Sequence, residues 1–479
     1  MKMWIALLAA ISVPASAADD TGGLWREMAR VDSRAALDLI ADNHPGAAKS
    51  LGDRDFQVRL DTARADVAAR LPAVHDYGSY SALMQGLANA FGDGHIWTSS
   101  RLTPATVNWA GLIAIRRAGR WVVGHQDSEG ADPGLVGAQI ISCDGIDAER
   151  LGRERVGGFH ADPSSEAAMA SRAYTLLTDS GNPWAPPLQS CRFRNSSGEM
   201  VDYKLRWTSI RSSDLQPLLV KSLHPAHAGM GVSYLPGGGR WIALESLGDK
   251  AGAVAEEVEQ RAEELRSAPL VVVDLRGNGG GNSEFAERIA VALVGRARVE
   301  ASSVSIDGCS GAYWRASEQN LVATRDNAAH RNGDARSHFE KLAGEMAEAR
   351  ASGQEFTPSL PSCAATQQAV RKTPRRLPPS TMKGRLILVT DRACFSSCLI
   401  ATDIFRRIGA LHVGEETDRS TRYMEVREIV LPSGLRTFST LMKVAVGLSD
   451  YGPFSPKVAY PFPLDDSDAL KRWVVALPH

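Results

Sequence analysis

The chain has 479 residues, with Lys+Arg 54 against Asp+Glu 55 and a formal net charge of −1. That balance excludes nucleic acid or an anionic lipid surface as the main partner, because phosphate binding needs a concentrated basic field. Composition is ordinary for a folded globular chain, and the length suggests two to four domains on a prior of about 150 residues each.

Residues 1–17 read as an export signal: Lys2, the apolar run "WIALLAAISV", then "ASA" at Ala15–Ala17 as a small-residue cleavage site. The run is shorter than the roughly 20 residues a membrane span needs, and no later window supplies one. The expectation is a periplasmic or secreted protein without stable membrane insertion. Residues 18–95 read as a helical domain, because "LWREMARVDSRAALDLIADNH", "FQVRLDTARADVAARL" and "YSALMQGLANAF" repeat apolar residues at three- and four-residue intervals. Over 96–165 the pattern changes to short runs such as "LIAIRR" and "RWVVGH", followed by "GLVGAQIISCDGIDAERL", a small β-rich module. Residues 166–227 read as a connecting segment.

From 228 to 479 strand and helix alternate. "RWIALES" and "PLVVVDL" are strands around the helix "AGAVAEEVEQRAEELRSA"; "RGNGGG" is a turn into "SEFAERIAVALVG". "RLILVTD", "LIATDIFRRIG" and "LHVGEE" continue the pattern. Nearly continuous apolar strands separated by helices indicate an α/β fold with a largely parallel sheet covered on both faces. An insertion at about 310–382 interrupts it, with the helical "FEKLAGEMAEARASGQ" and the basic link "RKTPRRLPPSTMKG".

Six cysteines in an exported chain allow fifteen disulfide pairings. Cys143 with Cys191 and Cys309 with Cys363 each bracket a segment, which leaves Cys394 and Cys398 together. "HPAHAG", with His224 and His227, has residues for half a metal site but lacks a second pair at ligand spacing, so no metal is expected. No cofactor fingerprint is present either.

Two turns carry the chemistry. In "TDRACFSSCLIATDIF" a buried strand runs into a helix through Ser396 and Ser397. Open α/β sheets bind ligands at that edge, and the first helical amides point outward unpaired. A serine there can attack a carbonyl while the next backbone N–H holds the oxyanion; a plain helix cap is the alternative. The second turn, "VVVDLRGNGGGNSEF", brings Gly279–Gly281, whose backbone can approach a ligand closely, and an Asp274–Arg276 pair suited to bracing the bend.

With "DLRGNGGG", "CFSSC" and "HVGEET" in this order and spacing, the chain resembles peptidase family S41, the tail-specific processing proteases and their tricorn-like relatives. The resemblance implies a crotonase/ClpP-like ββα-spiral core, a PDZ-like module and endopeptidase activity on peptides or unfolded proteins. It implies Ser396 as nucleophile, with Ser397 the alternative, and the amides of Gly280 and Ser397 as oxyanion hole. The lysine of tail-specific members is missing: "EETDRSTRYMEV" puts Ser420 where it would fall. The tricorn-like branch uses an upstream histidine, which "FGDGHIW" supplies as His95; imidazole suits acid–base work near neutral pH. Asp450 and Glu425 are the candidates for the acid that orients it, and Lys443 is expected to be structural. Two other readings stay open: an inactive peptide-binding relative, and acyl transfer on a small ester. The oligomeric state is not legible.

Overall fold

The computed structural model describes residues 21–102, 104–127, 134–302, 311–358, 377–446 and 451–478. The leader at 1–17, the Cys309–Cys363 pair and Asp450 lie outside the described residues. Among those described, no helix is long and apolar enough to cross a membrane.

The N-terminal unit is built from α1 (Thr21–Asn43), α2 (Arg54–Arg70) and α3 (Tyr77–Asn89). Aspartates set two of the starts: Asp53 accepts the Phe56 N–H at 3.0 Å, and Asp76 forms a capping box with Ser79. The apolar faces bury Leu39, Ile40, Phe56, Leu60 and Leu83 against Tyr423, Phe438 and Leu441 from near the other end of the chain. Each such side chain, fully buried, contributes roughly 1.5–3 kcal/mol of transfer free energy. The unit is fastened further by β1 (Thr98–Ser100), which pairs antiparallel with the late strand Arg436–Val446, Thr98 opposite Phe438.

The β-rich module is an antiparallel sheet of β2 (Leu112–Arg117), β3 (Arg120–Gln126), β4 (Gln139–Cys143), β5 (Ser190–Arg194) and β6 (Met200–Lys204), in that order. The segment 166–227, read above as a connection, supplies the last two of these strands. Its strands are short, and "SCRFR" buries only alternate residues, a weak signal on its own. Cys143 and Cys191 sit opposite each other in the sheet and are bridged.

The α/β core contains β7 (Met230–Tyr234), β8 (Arg240–Leu244), α4 (Lys250–Gln260), β9 (Leu270–Asp274) and α5 (Glu284–Val294). Within the insertion, β10 (Gly311–Arg315), α6 (Glu318–Ala329) and α7 (Gly333–Ala351) form a small core of their own around Leu321, Leu342 and Met346. The chain then continues through β11 (Arg385–Thr390), α8 (Ser397–Arg407), β12 (Leu411–Gly414), β13 (Tyr423–Val430), β14 (Arg436–Val446), β15 (Val458–Ala459) and α9 (Ser467–Ala476). The central sheet has the order β7-β8-β9-β11-β12-β15, parallel except for β7. In β9, Val271 and Val273 face Ile289, Leu293 and Phe405 on α5 and α8, while Val272 faces Leu470 and Val474 of α9. Both faces are covered, which is why the strand reads as one apolar run. Strand β10 pairs with β14, so the insertion also adds an edge to the second sheet.

Candidate active site

Strands β9 and β11 are parallel neighbours that end level, Asp274 opposite Val389, and the Leu275 N–H continues the pairing to the Val389 carbonyl at 2.9 Å. The glycine bend and the serine turn therefore leave the sheet side by side at its carboxyl edge. Asp391 ties them together by accepting the Gly277 and Ala393 N–H groups, each at 3.1 Å. Burial, with Glu415 and Asp274 nearby, pushes the Asp391 carboxyl up to about 7 against those two hydrogen bonds. Below the bend, Asp274 and Arg276 form a wholly buried pair at 2.6 Å, and Arg276 also donates to the Leu464 carbonyl at 2.5 Å. They brace the turn and face no cleft.

Asn278 clamps the bend from inside: its amide donates to the Leu244 carbonyl at 2.6 Å, and its side-chain oxygen accepts the Gly280 N–H at 2.8 Å. The Gly280 amide, expected in the oxyanion hole, is thus already paired. Gly280 is needed for another reason. Its φ is +109°, and a Cβ there would stand 2.8 Å from the Ser396 Cβ.

Ser396 occupies the cap position of α8 at φ 55°, ψ −126°, a region non-glycine residues rarely adopt and which costs on the order of 1–3 kcal/mol. Its hydroxyl makes no capping bond. Instead, Ser396 Oγ lies 2.9 Å from His95 Nε2. Ser397 points elsewhere and donates to the Gly281 carbonyl at 2.6 Å.

His95 arrives from the other end of the chain. Past α3 the backbone folds back at Gly92, and the stretch from Asp93 to His95 leads into β1, where Ser439 Oγ of β14 donates to the His95 carbonyl at 2.8 Å. The Phe395 ring packs on the imidazole with centroids 4.5 Å apart, and a Cβ on Gly94 would stand 2.8 Å from that ring. The group at the other imidazole nitrogen is neither of the expected acids. Asp93 Oδ1 lies 3.2 Å from His95 Nδ1 and also accepts the His95 backbone N–H at 2.8 Å, while Thr421 donates its hydroxyl to Oδ2. Burial alone would raise the Asp93 carboxyl, but the hydrogen bonds from His95 and Thr421 and the adjacent imidazole outweigh it and hold it below its ordinary range.

Glu425 is a correction. It is exposed, at a bulge of β13 with φ 62° that the pairing with β14 skips, and its carboxylate meets Lys443 Nζ at 3.5 Å, away from the imidazole. Lys443 is thereby structural, its ammonium 5.2 Å from the Trp314 ring centroid. Ser420 does stand beside the imidazole, Oγ 3.4 Å from His95 Nδ1. His224 and His227 face different carboxylates, Asp465 and Glu245, at 2.8 and 2.7 Å. Asp93 was within reach of the sequence: an aspartate two residues before a histidine can accept that histidine's N–H in an Asx-type turn and meet its ring.

Neighbours of these groups line a cleft of about 790 Å³, with Asp93, Gly94, Gly279, Phe395 and Ser420 in its wall. A serine hydroxyl bonded to one nitrogen of an imidazole whose other nitrogen meets a buried carboxylate is the arrangement that activates serine toward carbonyl carbon. Residues 241–444 match the model of peptidase family S41. No curated protein matches the chain in sequence. Among solved structures, mature CPAF complexed with lactacystin is similar, with a TM-score of 0.57 at 11% identity, over 94% of this chain and 99% of that one. A second structure of mature CPAF gives 0.55 at 12% identity, over 94% and 98%. At such identity the likeness speaks for the fold.

Proposed function

We propose that the chain is an exported serine endopeptidase that cleaves peptide bonds through an acyl-enzyme. The observation that carries this is the chain of contacts from Ser396 Oγ through the His95 ring to Asp93, at 2.9 and 3.2 Å. With Asp93 ionised, the imidazole proton belongs on Nδ1, leaving Nε2 as acceptor. Ser396 Oγ attacks the peptide carbonyl carbon as its proton passes to Nε2. His95 then gives that proton to the leaving amine, and the C–N bond breaks to leave an ester on Ser396. Water, deprotonated by the same nitrogen, attacks the ester and restores the serine hydroxyl, releasing a carboxylic acid.

The oxyanion forms beside the start of α8, where the Ser397 N–H has no protein partner among the described residues, as first-turn amides do not. Gly281 replaces Gly280 as the second donor in this proposal. Its carbonyl accepts the Ser397 hydroxyl, and its N–H has no hydrogen-bond partner among the described residues, which leaves it available to a developing oxyanion.

A fluorophosphonate probe with a casein digest tests the reading. Labelling and digestion are expected for the wild type, with both abolished in Ser396→Ala and labelling retained in Ser397→Ala. A well-folded wild type that takes no label would make the chain a binder of peptides and not a peptidase. Digestion of esters without casein would make it an esterase.

A further inference from the structure

We propose that the Cys394–Cys398 disulfide is a positioning element of the reaction, a cross-link that holds the nucleophile and its oxyanion amide against His95. This rests on the reading of Ser396 as nucleophile. The bridge spans a sequence separation of 4, and the three residues it encloses are Phe395, Ser396 and Ser397. All three act at the site: the Phe395 ring packs on the imidazole, Ser396 meets Nε2, and Ser397 presents the first free amide of the helix.

Three observations argue for positioning over bulk stability. First, Ser396 holds a backbone conformation that side chains disfavour, so the turn would relax if released. Second, the usual device for fixing a helix start, the cap residue's own hydroxyl, is diverted to His95 and makes no capping bond. Apart from Ser396 to His95, the hydrogen bonds that tie residues 394–397 to the glycine bend and to the segment after β12 are the Phe395 N–H to the Asn278 carbonyl at 3.2 Å, the Ser397 hydroxyl to the Gly281 carbonyl at 2.6 Å and the Asp418 N–H to the Cys394 carbonyl at 3.1 Å, and none of them holds the backbone of Ser396 itself. Third, a cross-link constrains the unfolded chain in proportion to the logarithm of the loop it closes. The Cys143–Cys191 bridge closes a separation of 48 and has far more to contribute to global stability. The active-site bridge closes almost nothing. Its two sulfurs are fully buried in the core under α8, where they tie the loop to the first turn of the helix.

The test uses the full chain. In Cys394→Ala/Cys398→Ala, kcat on a peptide substrate and the fluorophosphonate labelling rate are expected to fall tenfold to a hundredfold, the scale of a displacement near 1 Å. KM should stay within about threefold. Cys143→Ala/Cys191→Ala, the control, should lower the melting temperature more while keeping kcat per folded molecule. Labelling and kcat within about twofold of wild type in the 394/398 variant would overturn the proposal, as would a loss confined to KM. If the alanine pair does not fold, Cys394→Ala/Cys398→Val refills the vacated volume and is judged by the same outcomes. A wild type that takes no label fails at the nucleophile and removes the inference with it; a labelled wild type with an equally labelled variant fails at the bridge alone.

Discussion

His44 and His95 belong to the same N-terminal unit, and both are buried, at 0% and 7% exposure. Their surroundings separate them. His44 is stacked on Phe56 at 4.1 Å with Tyr423 against its edge; its Nδ1 accepts the Gly46 N–H at 3.0 Å, and its Nε2 has no hydrogen-bond partner among the described residues. Burial pushes it down to about 3, so it stays neutral and serves packing. His95 has a carboxylate at one nitrogen and a hydroxyl at the other. An imidazole becomes an acid–base group when both nitrogens have partners that can exchange or stabilise a proton; sealed in hydrocarbon it is a flat filler.

Substitution sharpens that contrast, beginning with the strongest effect. His95→Ala should lower kcat/KM by about 10²–10⁴, the range for losing a general base, with the melting temperature little changed. Asp93→Asn should come next, at about 10²–10³, through kcat more than KM, because the ring loses the group that fixes its tautomer. An unchanged rate would remove Asp93 from the site. His44→Ala should do the reverse: destabilisation of about 2–4 kcal/mol in denaturant titration, from a cavity beside Phe56, with the labelling rate of folded molecules unaltered.

The pH dependence of stability has a definite sign at His44. Its folded value lies below its unfolded one near 6.5, so the unfolded chain binds the extra proton. The stabilisation is complete above about 6.5 and is lost as pH falls toward 3. Denaturation midpoints measured from pH 7 to 4 should decline less steeply in His44→Phe. A residual slope is expected, because burial also pushes His160 and His412 down to about 4. The smallest effect should be Glu425→Gln: less than about 1 kcal/mol in stability, as for exposed ion pairs, and no change in rate. A rate loss there would return Glu425 to the site.

Much of the core was legible because parallel strands buried on both faces leave long apolar runs, as in "PLVVVDL", and because both turns carry unusual residues. Ser396 and His95 were legible through the S41 resemblance, and the structure brings them together. The group at the other imidazole nitrogen was not, because the resemblance points downstream to a distant acid, while Asp93 stands two residues from the imidazole. The Gly280 amide could not be judged either: that Asn278 engages it depends on a side-chain rotamer, which no spacing reveals. The strands after 188 were missed because their half-exposed alternation is brief and their partners lie far back in the chain.

The hydroxyl and the imidazole are separated by 301 positions in the chain, and the segment matching the family, 241–444, contains only the former. Covalent continuity between them is therefore incidental, while docking is indispensable. Cut between the β-rich module and the core, the molecule would become two fragments that each lack one of the paired groups, and fluorophosphonate labelling is expected only when they reassociate. That makes the interface of β1 with β14 a natural split-reporter joint.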